Sequence, residues 1–488
     1  MFLGGAVPEF SDRRRFLILT ICCMSLLLVG IDNTAVNIAL PAIQADLNTT
    51  VSGLQWTIDS YTLTLASLLI LAGSLGDRFG RRRVFLTGLS LFTAGSILCA
   101  VAPSLATLVG ARAAQGVGGA MMNPVAMSII TNVFTEAKER ARAIGVWSAA
   151  MGVSMALGPV VGGLLLGAWS WRAIFWLNVP VGVAAIVLTR IFVPTSKAPT
   201  ARRFDPVGQI LGILFLAGVT SAIIEAPHVG WLSARTLGVF AGAAAAAVGF
   251  VRYELRREQP LIDPRFFSSL PFTGATLMAV SGFVALSGFL FMNTLYLQEA
   301  LGYSALKAGL LTLPIAVASV LAGPRSGRYV ANHGPRGPVM LAGALLAVSA
   351  LMLTGLSPTT PVALLLGAYA VLGVGFGALN PPITNTAVSG MPRAQAGVAA
   401  AVASTSRQVG QTLGVAVIGS VVVARATGPA RTGLPAASHA GWWILVGCGL
   451  AVLVLGMLTT GTRAVATAAR TAARLAEPTT DTGIPALR

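Results

Sequence analysis

Charge is what this chain has least of. Only 10% of its 488 residues are Asp, Glu, Lys or Arg, while 55% are hydrophobic; soluble domains carry about 25% charged residues. That deficit excludes a disordered chain, a disulfide scaffold and a cytosolic multidomain enzyme, and points to a polytopic membrane protein. The four cysteines, Cys22, Cys23, Cys99 and Cys448, all sit in apolar runs, where a reduced thiol behaves as a small hydrophobe, so neither a disulfide framework nor a metal site is expected. Histidine is nearly absent: His228, His333 and His439 are scattered over loops and helix ends. A membrane enzyme needs such residues clustered, so no catalytic residues are assigned. Lysine is as rare, three against thirty arginines, which with the Ala and Gly load reads as a high-GC bacterial composition. No stretch outside the apolar runs exceeds about 30 residues, too little for a soluble signalling domain.

What the chain does have is length of apolar run. A bilayer crossing takes about 20 residues at 1.5 Å each. Fourteen such runs occur, at 16–41, 53–75, 84–102, 105–131, 141–166, 171–193, 207–224, 234–252, 272–297, 306–331, 337–356, 361–385, 394–423 and 440–460. The first is too long for a secretory signal and lacks a small-residue cleavage site, so it reads as a retained helix. An even number of crossings puts both termini on one side. With that side cytoplasmic, its segments hold 26 basic residues against five on the other, with two inside helices, as the positive-inside rule requires. The net charge of +17 is therefore an orientation signal, and no nucleic-acid partner is expected.

The longest cytoplasmic joins, 194–206 and 253–271, bracket two runs. The division is a six-helix bundle (1–203), an inserted two-helix hairpin (204–265), a second six-helix bundle (266–463) and a basic, partly helical tail (464–488) suited to an anionic leaflet. The glycines and arginines of residues 73–83 have a degenerate echo in Gly323, Gly327, Arg328, Gly334 and Arg336, as repeated transporter halves often show.

Ionisable residues deep in a membrane cost about 2.5 to 3.5 kcal/mol each and are functional candidates by default. Asp32 lies about 13 Å, Asp59 about 9 Å and Arg112 about 10 Å from the outer ends of their runs, so the three share one layer. Arg112 neutralises one carboxylate and leaves the other to a proton, which is what proton coupling needs. A purely structural Asp32–Arg112 staple between helices fits the same spacing, and Asp59 is near enough to its helix end to be solvated. Arg407, with Gln408 and Gln411 on its helix, lies near mid-membrane, facing either a central cavity or a backbone carbonyl. Asn37, Trp56, Tyr61, Asn293, Arg407 and Gln411 are candidate cavity residues, although aromatics in lipid are more often packing or interface groups.

The stretch Gly73-Ser74-Leu75-Gly76-Asp77-Arg78-Phe79-Gly80-Arg81-Arg82-Arg83 resembles the loop motif of the major facilitator superfamily. In it Gly73 and Gly80 allow close helix approach and a tight turn, and Asp77 can pair with arginines such as Arg78 and Arg81 to latch the cytoplasmic side. Residues 32–41, beginning Asp32-Asn33-Thr34-Ala35-Val36-Asn37, resemble the first-helix motif of the fourteen-helix drug/proton antiporters, and Arg112-Ala113-Ala114-Gln115-Gly116-Val117-Gly118 their fourth-helix motif. The resemblance implies a transport role for Asp32 and proton transfer through Arg112. Gly152, Gly158, Pro159, Gly162 and Gly163 are similar to the fifth-helix motif of the superfamily's exporters, where small residues let helices pack closely. Trp171-Arg172, Phe175, Asn178 and Pro180, and Tyr296-Leu297-Gln298 with Gly302-Tyr303, extend the likeness.

The expected fold is therefore an all-α membrane protein of the major facilitator type, two six-helix bundles plus two inserted helices. The resemblance implies a monomeric antiporter in a bacterial cytoplasmic membrane that exports amphipathic drugs or antibiotics by alternating access. It is driven by the proton gradient and needs no cofactor. The alternative cargo on the same fold is an endogenous lipid, siderophore or metabolite. Few acids lie in the second bundle, so Arg407 could instead favour an anionic or zwitterionic ligand.

Overall fold

The computed structural model describes residues 11–197, 204–257, 259–389, 391–392, 395–426 and 430–476. Arg202, Arg203, Arg393, Arg488, Glu9, Glu258, Glu477 and Asp481, the division at residue 203 and the last part of the tail lie outside the described residues.

Among these residues the structure is all helical. In chain order the helices are α1 (Asp12–Leu47), α2 (Val51–Phe79), α3 (Arg81–Ala100), α4 (Leu105–Val133), α5 (Ala137–Ala168), α6 (Arg172–Phe192), α7 (Pro206–Val229), α8 (Ala234–Glu254), α9 (Leu270–Leu295), α10 (Ala305–Leu311), α11 (Leu313–His333), α12 (Arg336–Met352), α13 (Val362–Val388), α14 (Ala396–Arg425), α15 (Ala430–Thr459) and α16 (Thr462–Ala476). A π-helical turn, Tyr296–Ala300, extends α9. Twelve helices are long and apolar enough to cross a membrane; α4 and the 17-residue α12 fall outside that set. The chain is thus a multi-pass membrane protein.

Helix ends reach past the apolar runs because a hydrocarbon core of about 30 Å holds only about 20 residues. The first run stops at Pro41, yet α1 continues through it to Leu47 and closes on Asn48 in the left-handed conformation. The run at 306–331 is two helices, α10 and α11, separated at Thr312, with Pro314 in the first turn of α11. Proline has no N–H to give and restricts the residue before it, so a helix restarts there more readily than it continues.

The packing repeats. In the first half α1 packs on α5 and α6, α4 on α2 and α3, and α3 on α6; in the second half α9 packs on α14 and α15, α13 on α11 and α12, and α12 on α15. Two main joints connect the halves, α2 with α14 and α5 with α10 and α11, with lighter contacts of α1 on α9 and α10. Helices α7 and α8 pair with each other, and α7 leans on the α2–α14 joint. It holds α2 through Gln209 Nε2 to Ser67 O at 2.5 Å and Ser52 Oγ with His228 Nε2 at 2.7 Å, and accepts from α14 through Ser420 Oγ to Ile223 O at 2.7 Å. The tail helix α16 packs Ala464, Ala468 and Thr471 inward, against α9 and the 3₁₀ turn before it.

The start of α1, the α2–α3 turn, the start of α5 and the end of α6 meet at one end of the bundle, called here the basic end, through Arg14 to Phe192 O, Arg15 with Glu139, and Arg82 to Arg190 O. Gly80 sits at φ 99° between α2 and α3, and Gly334 at φ 85° between α11 and α12, left-handed values that cost glycine little. Asp77 precedes Gly80 by three residues and pairs with Arg81 at 3.2 Å. Ala331 stands in the same place before Gly334, so the second turn keeps the geometry and loses the ion pair. Gly73 does not provide the close approach expected of it: a Cβ there would meet Pro124 only at 4.0 Å, whereas one on Gly76 would press to 3.1 Å from Val125. Arg78 is exposed, lying 5.6 Å from the Phe79 ring.

Candidate functional site

Five helices deliver polar groups to one point inside the first half. Asp32 of α1 and Arg112 of α4, both fully buried, pair through Nη1 and Oδ2 at 2.5 Å. The second carboxylate oxygen accepts from Gln115 Nε2 at 2.9 Å and Asn178 Nδ2 at 2.8 Å. Gln115 also donates to Ser96 Oγ of α3 at 2.9 Å and accepts from Arg112 Nη1 at 2.7 Å. Arg112 Nε reaches the Thr57 carbonyl of α2 at 3.2 Å, and its guanidinium carbon lies 4.3 Å from the Tyr61 ring centroid and 5.8 Å from that of Phe175. Both charges are thereby compensated where an isolated one would be prohibitively costly.

Asp59 is equally buried but stands apart. Its Oδ1 accepts from Thr62 Oγ1 at 3.4 Å, and its Oδ2 has no hydrogen-bond partner among the described residues. Thr57 and Tyr61 face Arg112, and a helix turns 100° per residue, so Asp59 points to the other side. That side holds the joint with α14, where Gln55 Nε2 donates to the carbonyls of Val415 at 3.2 Å and Ala416 at 2.8 Å, and Thr412 Oγ1 to Thr62 Oγ1 at 3.0 Å. The three charges share a layer, but only two of them touch.

The stripe on α5 is built as close packing. Gly158 and Gly162 receive α1 at Thr34 and Ala35; a Cβ on Gly163 would stand 2.6 Å from the Leu306 Cα and 2.8 Å from the Ala305 carbonyl of α10. A side chain on Gly309 would run into the Pro159 carbonyl, and one on Gly152 would meet Val320 Cγ2 at 2.5 Å. The contacts of Gly163, Gly309 and Gly152, with Gln55 on α14 and with Gln298 Nε2 to Ile38 O at 2.9 Å, tie the two halves together.

Between the halves, Thr34, Asn37, Pro159, Thr294 and Ile315 line a small space of about 20 Å³. Of the candidate cavity residues, Asn37 borders it, and Arg407 and Gln411 lie half-buried on α14. The others are held elsewhere. Trp56 Nε1 donates to Glu225 of α7 at 3.3 Å, Tyr61 lies under Arg112, and Asn293 is buried in the second half, accepting from the Tyr369 hydroxyl. Ser96, to which no role was given, belongs to the buried network, and so do Gln115 and Asn178, quoted only within motifs. A polar residue in an apolar run at the depth of Asp32 is the signal that finds them.

Fold and site together define a polytopic α-helical membrane protein whose two halves share one packing plan around a buried carboxylate–arginine network. The sequence model of the Major Facilitator Superfamily matches residues 22–415, and the chain belongs to that family. It is 38% identical over 413 residues to the multidrug resistance protein Stp of Mycobacterium tuberculosis, covering 85% of this chain and 77% of that protein. It is 37% identical over 414 residues to the multidrug efflux pump LfrA of Mycolicibacterium smegmatis, covering 85% and 82%. A solved structure of the peptide transporter POT in complex with sulfate superposes with a TM-score of 0.67 at 16% identity, covering 96% of this chain and 97% of that one, a likeness of fold.

Proposed function

We propose that the protein is a proton-coupled antiporter that exports amphipathic drugs or antibiotics across a bacterial cytoplasmic membrane by alternating access. The observation that carries this reading is the pair of unlike environments for two buried carboxylates. Asp32 has a cation and two amide donors, whereas Asp59 has a threonine hydroxyl and one oxygen without a partner. A carboxylate without a cation in a dry joint is carried most cheaply with a proton on it, and that joint is one of the two along which the halves must part. Opening it wets Asp59 and releases the proton; Arg112 is placed to exchange partners as Asp32 loses or gains its own. Both multidrug names among the relatives point to drug-like cargo. Membership of a transporter family supports reading the protein as a non-enzyme, and in this reading it acts as a monomer.

In this reading fourteen helices cross the membrane, α4 and α12 included and α10 with α11 counted once. The basic end, with Arg13, Arg81, Arg82 and Arg83, faces the cytoplasm. Efflux of a dye and antibiotic panel from vesicles under an imposed pH gradient tests it. Uphill movement that collapses on adding a protonophore is expected; movement indifferent to the gradient, or none, rejects proton-driven export.

A further inference from the structure

Most of α14 is covered by neighbours, α13 and α15 among them. Gly410 and Gly414 abut Val280 and Val284 of α9, Thr412 and Gly419 meet α2, and Ser420 reaches α7. The remaining stripe, Ser404, Arg407, Gln408 and Gln411, has the 3-and-4 spacing of a single helical face. It lies between the α9 and α2 faces, away from α7, and so looks toward the space between the halves. Arg407 is eleven residues into α14, about 16 Å from its start. Its Nη1 donates to Ser404 Oγ at 3.2 Å and its Nη2 to Thr384 Oγ1 of α13 at 2.5 Å; its Nε and the Gln411 Oε1 have no partner among the described residues.

No carboxylate in the structure answers this cation. Arg407 forms no ion pair among the described residues. From residue 270 to residue 476 there are eleven basic residues and one acid, Glu299, at the opposite end of α9. Asp32 is taken by Arg112. Asp59 lies three residues outward of Thr62 and Arg407 five residues inward of Thr412, and those threonines touch, so the two charges are about 12 Å apart along the bundle. A cationic cargo would find no open carboxylate here, while an anionic one would find a guanidinium with two weak hydroxyl partners and an amide a turn away.

We propose that Arg407, supported by Gln411, is the head-group site of the export path, and that the cargo is an amphiphile bearing a carboxylate, sulfonate or phosphate. A planar guanidinium binds such groups through two parallel N–H donors. This rests on the exporter reading above. The test uses purified protein in liposomes under an imposed pH gradient, with 8-anilinonaphthalene-1-sulfonate, its sulfonate-free counterpart N-phenyl-1-naphthylamine, and the cation ethidium. The sulfonate is expected to move fastest in the wild type. Arg407→Gln should slow it at least tenfold, Arg407→Lys should restore a substantial part, and ethidium should keep its wild-type rate in both. Ethidium outrunning the sulfonate in the wild type, or Arg407→Gln slowing all three probes alike, overturns the assignment. Gradient-driven movement of none of the three by the wild type overturns the exporter reading, and this inference with it.

Discussion

Asp32 and Arg112 illustrate how a costly residue survives in a bilayer: the carboxylate accepts three hydrogen bonds, from α4 twice and from α6. Removing one member of a buried pair leaves the other uncompensated, which costs about 3 to 5 kcal/mol. Arg112→Ala should therefore lower the thermal unfolding midpoint of the purified protein by several degrees, and Arg112→Lys by less. Equal midpoints for Arg112→Ala and wild type would show that the pair contributes nothing to folding. That Arg112 meets one of the two carboxylates was legible in the sequence because helical rise fixes depth, but depth left open whether Asp32 or Asp59 is its partner. Depth does not fix direction, however. Asp59 shares the level and faces away, and Ser96, Gln115 and Asn178 join the site only because of how α3, α4 and α6 rotate against α1. Those rotations follow from side-chain packing between helices far apart in the chain.

At the scale of helices, the α5 stripe acts through what it lacks. Gly163 and Gly309 let α5 and α10 approach until backbone touches backbone, the mode of close packing that small residues permit in lipid. The residues were legible as a motif; their partners on α10 were not, since the break at Thr312 falls inside one uninterrupted apolar run. Gly163→Val places two methyls where Leu306 and Ala305 stand, so it should prop this joint open. Labelling of an Asn37→Cys reporter by a membrane-impermeant maleimide, applied from the side opposite the basic end, is expected to speed up several-fold. An unchanged rate would mean that the joint does not close off the central space. The hairpin α7–α8 was readable only as an insertion. Its seat on the α2–α14 joint depends on Gln209, His228 and Ile223, isolated groups with no periodic signal of their own.

Over the whole molecule, charge does two jobs. In the proposed orientation most of it marks sidedness, and the few charges left inside are divided between an ion pair in the first half, whose Arg112 Nη2 has no partner among the described residues, a lone carboxylate on the joint and a lone arginine in the second half. The repeat of packing between halves was faint in the sequence, because glycine turns such as Gly80 and Gly334 persist while the acid of one loop, Asp77, has no counterpart in the other. In the proposed mechanism Asp59 carries a proton on the joint while Arg112 exchanges partners with Asp32, so the loss of Asp32 should also sever coupling between proton and cargo. The most direct measurement is uphill efflux driven by an imposed pH gradient in liposomes, comparing wild type with Asp32→Asn, a near-isosteric change, at a temperature well below the unfolding midpoints of both. Efflux by Asp32→Asn below a tenth of the wild-type rate is expected; full gradient-driven efflux by that variant would contradict proton coupling through this site.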